Sequence, residues 1–380
     1  MSVTCSCSVS HGLIIPGKYS LMRNGSSHVS ALYVMGDSSV DCGDSTPLYP
    51  YIHRNLSLLP CNGSDRTLLP YLLAEKMGLR NISPFYGQNG SIEGIRRSLN
   101  YGSAHATIMK PGSLSHQSLN QQLRQVFETF QFLQLQLSEE TAQHFIRSSM
   151  FYLSFGRDDY VDLFLRNSSG IMLKYSGPEY ARILVNQMVL AVKSLYDANV
   201  RNIICMGILP LGCTPRMVWE WHNVTTIDAR RGCVEEINEL VLQYNIILDE
   251  HIMELKTELS DAQIIFCDVY QGIMEIMTNP LHTLFIDRDM MPNPEAFALH
   301  GFEDVNNACC GLGLHGAIIG CLSADMACNQ PSDYVWWDLY NPSRAVNSFA
   351  EAIWSGHTFP GICRPMVVQD LVYSPVVHLT

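Results

Sequence analysis

The sequence predicts a three-layer α/β/α domain built on a parallel, flavodoxin-like sheet of about five strands. Three observations predict it. Short apolar runs closed by Gly, Pro or Asp recur along the chain, as buried strands do. Amphipathic stretches of crossover length separate them, an alternation that puts helices on both faces of a parallel sheet. The 380 residues are 47% hydrophobic and 16% charged, enough to bury one large core.

The first strand is the run Ala31-Leu32-Tyr33-Val34-Met35, closed by Gly36-Asp37-Ser38. Ser38 stands just past the carboxyl end of that strand, where ligands and chemistry collect in open α/β sheets. A Gly-Asp-Ser turn can equally be a local cap, so the downstream pattern must decide. Gly43 to Lys110 is long and punctuated by Pro and Gly, with one helix over Thr67–Gly78. Ser118 to Met150 carries a helical apolar stripe (Leu119, Leu123, Val126, Phe130, Leu133), with a fresh N-cap at Ser138. Further strands are expected at Phe151–Gly156, Arg201–Leu209 and Ala262–Asp268. Helices are expected at Pro178–Ala198, Ala229–Leu259, Val269–Met277 and Ser343–Trp354.

Composition narrows the function. A net charge of −12 with no run of Lys or Arg excludes a nucleic-acid or anionic-membrane patch, and no apolar run approaches the length of a membrane span. Thirteen cysteines without a CxxC pair, together with sequons at Asn24, Asn55, Asn62, Asn81, Asn89, Asn167 and Asn223, point to a secreted, disulfide-bonded glycoprotein. An odd count leaves at least one free thiol. The first thirty residues show no recognisable signal peptide, since their longest apolar piece is Leu13-Ile14-Ile15.

Four more stretches carry small or polar residues in turns: Asn100-Tyr101-Gly102-Ser103-Ala104, Gly156-Arg157-Asp158-Asp159-Tyr160, Pro210-Leu211-Gly212-Cys213-Thr214-Pro215 and Trp337-Asp338-Leu339-Tyr340-Asn341-Pro342. With Gly36-Asp37-Ser38 and Cys309-Cys310-Gly311-Leu312-Gly313, their order resembles the plant GDSL esterase/lipase family of SGNH hydrolases from about Val29 to Gly356. The resemblance implies the SGNH hydrolase fold, no cofactor or metal, and small-molecule ester or acylated substrates. It implies Ser38 as nucleophile and Asp338 as the carboxylate that orients a histidine three residues later. The oxyanion donors it implies are Ser38, Gly102 and the residue at 158.

Two positions depart from the pattern. Asn341 stands where the histidine belongs, and an amide nitrogen has no useful basicity near neutrality. Asp158 stands where the donor asparagine belongs, and an ionised carboxylate only accepts. A serine hydroxyl needs a base and the developing oxyanion needs donors, so both changes strike the same transition state. Of the loop histidines (His105, His116, His282, His300 and His315), His105 is nearest the second block. Arg157 reads as a surface partner for a neighbouring carboxylate, and Asp158, Asp159 and Asp162 follow no known metal-loop spacing.

Two functions are therefore expected: a GDSL esterase/lipase-like protein acting through Ser38 with reduced activity, or an inactive homologue binding an acyl, lipid or glycan ligand or a protein in the old cleft. The expected organisation is an irregular segment 1–28, the hydrolase-like domain 29–356 with an atypical insertion at 283–299, and a tail 357–380.

Overall fold

The computed structural model describes residues 29–41, 68–79, 82–87, 90–109, 117–166, 169–221, 232–280, 301–322, 324–343, 346, 349–357 and 359–373. The insertion at 283–299, the segment 1–28 and all seven sequon asparagines lie outside them, as do His116, His282 and His300.

The centre is a sheet of seven strands in the order β11-β6-β5-β4-β1-β3-β2, where β1 is Leu32–Gly36, β2 Ser83–Pro84, β3 Leu99–Asn100, β4 Met150–Ser154, β5 Asn202–Met206, β6 Gln263–Cys267 and β11 Cys363–Arg364. All pairings are parallel except β11 on β6. The parallel three-layer fold is as the sequence predicts, with three short strands added to the four long apolar runs. β1 pairs with β4 from Leu32 opposite Met150 to Gly36 opposite Ser154, which sets the first and third sequence blocks side by side.

Side chains alternate along each strand and so feed two cores. Tyr33, Met35, Phe151, Leu153, Ile203 and Phe266 face one layer, packed on the helices Leu119–Gln136 (α1), Glu139–Ser148 (α2), Gly177–Asp197 (α3) and Glu235–Glu258 (α4). Leu32, Val34, Tyr152, Ile204, Met206 and Ile265 face the other, with the helices Leu69–Lys76, Val269–Thr278 (α5), Ala350–Ser355 (α6) and Val368–Tyr373 (α7). Fully burying each such side chain contributes about 1.5–3 kcal/mol. Start signals match the sequence. Ser118 and Gln121 form a reciprocal capping box for α1, Ser138 caps α2, and a proline lies in the first turn of α3.

A parallel pair, β7 (Asp304–Ala308) with β10 (Tyr334–Trp336), leads into the loop that carries Asp338 and Asn341. Between them the hairpin β8 (Gly311–Leu312) and β9 (Ile319–Gly320) is stapled by Cys309–Cys328 and Cys310–Cys321. Residues 359–373, set apart above as a tail, are built into the fold. β11 extends the sheet, Cys363 bridges Cys267, and Val368, Leu371 and Val372 are buried. The helix expected from Ser343 is described from Ala350. Cys213–Cys233 is the fourth bridge among the described residues, and Cys205 is a buried free thiol. Four disulfides fit an extracellular protein. Among the described residues, no helix is long and apolar enough to cross a membrane.

The Cys267–Cys363 bridge spans 96 residues and ties the edge strand to the sheet, so it constrains the unfolded chain strongly. Replacing both cysteines by alanine is expected to lower unfolding stability by about 2–5 kcal/mol, read as an earlier urea midpoint. A loss below about 0.5 kcal/mol, the size of an ordinary surface substitution, would show that the last strand is not a stabilising element.

Candidate active site

The turn after β1 is held from three sides. The Gly36 N–H donates to Gln122 Oε1 at 2.9 Å, and Gln122 Nε2 donates to Gly36 O at 2.8 Å, so a buried amide on α1 continues the ladder where β3 ends. The Asp37 N–H donates to Ser154 O at 3.0 Å. A Cβ on Gly36 would stand 2.5 Å from Ser154 O, and one on Gly102 would stand 2.5 Å from Val40 Cγ2. Only glycine lets the β1 turn and the turn after β3 close on each other.

Ser38 lies partly buried in this turn and is bound from both sides. Its hydroxyl donates to Asp158 Oδ2 at 2.5 Å, and its backbone N–H donates to the same oxygen at 2.9 Å. The backbone N–H of His105 donates to Ser38 Oγ at 3.0 Å. Asp158 follows β4 and is buried, as are Asp37 and Arg157. The Asp158 N–H donates to Asp37 Oδ2 at 3.3 Å, and Asp37 Oδ1 accepts the Ser39 N–H at 2.9 Å.

Arg157 is not the surface residue its neighbours suggested. Its side chain is 5% exposed, with Nε 3.4 Å from Asp158 Oδ1 and Nη1 donating to Asn341 Oδ1 at 2.8 Å. Asn341 in turn donates through Nδ2 to Asp338 Oδ2 at 2.9 Å, and its N–H donates to Asp338 Oδ1 at 2.8 Å. The structure thus joins Asp338, Asn341, Arg157, Asp158 and Ser38 in one unbroken chain. Asn341 reaches the serine only through the guanidinium and the Asp158 carboxylate.

The donors expected for an oxyanion are otherwise engaged. The Gly102 N–H donates to Asn100 Oδ1 at 2.8 Å, and the Ser38 N–H is taken by Asp158. Asp158 is itself an acceptor here, because the serine hydroxyl and two N–H donors surround it.

Charges shape the site. Burial, then the Asp158 charge, pushes the Asp37 carboxyl up to about 6, against the pull of Arg157 and Ser39. Burial opposes the Arg157 charge, yet Asp158, Asp37 and Asp338 together raise its pKa above the ordinary guanidinium value. Asp159 accepts the Ile108 and Met109 N–H groups at 2.8 and 3.0 Å and so ties the third block to the loop behind His105; burial pushes its carboxyl well up.

His105 holds a left-handed backbone at φ 60° and its ring Nδ1 lies 2.6 Å from Asp162 Oδ2. That bond, more than burial opposes, raises the imidazole above its ordinary 6.5. Burial works against the Asp162 charge, but His105 and the two arginines Arg166 and Arg157 carry it below 3.8. His315, the other described loop candidate, bonds Asn307 Oδ1 at 2.9 Å through Nδ1. Among the described residues no imidazole hydrogen-bonds Ser38 Oγ. His105, Asp158 and Asp162 present ligand atoms within 4.8 Å of one another. Their charge is already met by Arg166, 3.0 Å from Asp162, and by Arg157.

Beside the network lies a cavity of about 80 Å³ at the carboxyl ends of β4 and β5, with Phe155, Met206, Ile208, Leu209, Ile273 and Phe349 as apolar walls and Asp37, Arg157 and Asn341 among its polar groups. An apolar cavity with a few convergent polar groups at strand ends is the usual form of a small-molecule site.

Residues 32–352 match the family described as GDSL-like lipase/acylhydrolase. The chain belongs to that family. It is 27% identical over 339 residues to the Arabidopsis thaliana protein GDSL esterase/lipase At1g71250, covering 85% of this chain and 84% of the relative. GDSL esterase/lipase At5g37690 from the same plant is 22% identical, over 88% of this chain and 90% of its own length. GDSL esterase/lipase 7, again from Arabidopsis thaliana, is 26% identical, over 83% and 85%. Membership implies hydrolase-type chemistry on small-molecule esters; the turns at 36–38, 100–105 and 156–158 meet here around Ser38.

Sequence reasoning missed Gln122, the pairing of Asp162 with His105 and the buried position of Arg157. Each acts through contacts made 57 to 184 residues away. The His105–Asp162 pair is testable directly. In an NMR titration His105 is expected to ionise above 6.5, and Asp162→Asn is expected to bring it back down. The sign for stability follows from the two directions. The raised His105 contributes fully below 6.5 and fades as pH rises through its folded value. The lowered Asp162 contributes above 3.8 and is lost as pH falls through its folded value. An unshifted His105 would remove the pair.

Proposed function

We propose that this protein is a slow serine-dependent ester hydrolase, acting on small ester or acyl substrates through Ser38. The observation that supports this reading best is the serine itself. Its hydroxyl proton already points at a carboxylate oxygen 2.5 Å away, within hydrogen-bond reach of a proton acceptor. Asp338 has lost its usual use, since the residue it orients is an amide bonded to Arg157. In subtilisin, losing the serine or the histidine costs about 10⁶ in turnover, so a rate far below that of an intact triad is expected here. The apolar cavity beside the network is lined by Asp37 and Ser39, the chain neighbours of Ser38, and at about 80 Å³ it suits short acyl groups.

A second reading is favoured by a separate observation. The Asp158 oxygen that accepts the serine proton also holds the Ser38 N–H, so an anion already sits where an oxyanion would bind. On that reading the cleft binds an acyl, lipid or glycan ligand or a protein partner without turning it over.

The two separate cleanly. A serine-directed fluorophosphonate should label the wild-type chain and not Ser38→Ala, and acetyl to butyryl p-nitrophenyl esters should be cleaved faster than long-chain ones. If the wild type is neither labelled nor active, and the double change Asp158→Asn with Asn341→His creates an activity at least about 10²-fold above it, the binding reading stands instead. We also place the protein in the secretory route as a glycoprotein. The four bridges and the sequons support this, and mass spectrometry of the plant-expressed chain for occupied asparagines tests it.

A further inference from the structure

We propose that Asp158 is the proton acceptor for Ser38 and, once it holds that proton, the hydrogen-bond donor to the oxyanion. The inference rests on the reading that Ser38 reacts. It gives one side chain the two tasks left vacant by the departures at 158 and 341.

The geometry carries it. A single oxygen, Asp158 Oδ2, touches both the hydroxyl that must lose its proton, at 2.5 Å, and the backbone N–H beside which the oxyanion forms, at 2.9 Å. The other oxygen, Oδ1, faces Arg157 Nε at 3.4 Å, and the Asp158 N–H is held by Asp37 at 3.3 Å. The carboxylate is therefore fixed from behind and free to exchange a proton in front. Asn341 has both ends of its amide engaged, one on Asp338 and one on Arg157. The groups that face Asp158 are Asp37 from the β1 turn, Arg157 on its own turn, His105 from the turn after β3 and Asp162 from the following π-helical turn.

The steps balance. As Ser38 Oγ forms a bond to the ester carbonyl carbon, the carbonyl electron pair moves to oxygen and the Oγ proton moves to Asp158 Oδ2. The neutral acid then releases the Ser38 N–H to the new oxyanion and donates its own O–H to it. Collapse breaks the bond to the alcohol, which leaves with the proton from Asp158, and the carboxylate returns. Water repeats the sequence on the acyl-serine: its proton goes to Asp158, and then to Oγ as the acid departs. One ester and one water give one acid and one alcohol.

The test uses the full chain and a fluorophosphonate, whose phosphoryl oxygen takes the oxyanion place. Asp158→Asn keeps the shape, supplies a neutral donor and removes the acceptor. Labelling of Ser38 is expected to slow at least about 100-fold at a temperature below the variant's own thermal midpoint. Asp158→Ala should be equally slow and should recover in added formate, a carboxylate that can enter the space left; a structural role for Asp158 would not respond to formate. Labelling of Asp158→Asn as fast as or faster than wild type overturns the inference while leaving Ser38 reactive, since the carboxylate would then be only an obstacle. A wild type that does not label at all overturns the reading beneath it.

Discussion

A guanidinium buried among three carboxylates holds the cleft together. Arg157 touches Asp158, bonds Asn341 and through it Asp338, and stands in the field of Asp37. Taking an ion out of water is unfavourable by several kcal/mol, and only close opposite charges with satisfied hydrogen bonds offset that. Here the offset is mutual. Without Arg157, Asp37 and Asp158 would face each other with no cation between them, and the loop carrying Asn341 would lose the group that its Oδ1 is bonded to.

That arrangement brings Asp158 and Asn341 together in space through one side chain. An amide at 341 facing a carboxylate at 158 leaves one acceptor and one anion pointing at the same spot, and a planar donor with several N–H groups fits that spot well. Asp158, Asn341 and the arginine form one polar unit, in which the serine hydroxyl is the terminal donor.

Much of this was legible in the sequence. The runs Leu32–Gly36, Met150–Ser154, Asn202–Met206 and Gln263–Cys267 are long enough for their apolar content to declare them, and Ser118 and Ser138 announce helix starts through local chemistry. The strands β2, β3 and β11 are two residues long, too short for any period to show, and they exist only because a longer neighbour offers an open edge. Asp158 and Asn341 could be named from motif spacing because block order singles out their positions, and the structure puts both in the network at Ser38. Arg157 could not, since a cation beside two acids in sequence reads as solvated, and its burial follows from a loop 184 residues away. Gln122 looks like an ordinary polar residue of an amphipathic helix; what sets it apart is a backbone end that no strand reaches.

One further consequence follows from Cys205. Its thiol sits one residue from the carboxyl end of β5, between both neighbouring strands and fully buried, and burial pushes its pKa up to about 12. The other eight described cysteines are bridged. In the folded chain this sulfur is withdrawn from thiol exchange. A bridge to position 205 would require the strands around it to part, so the closed sheet and such a bridge exclude one another.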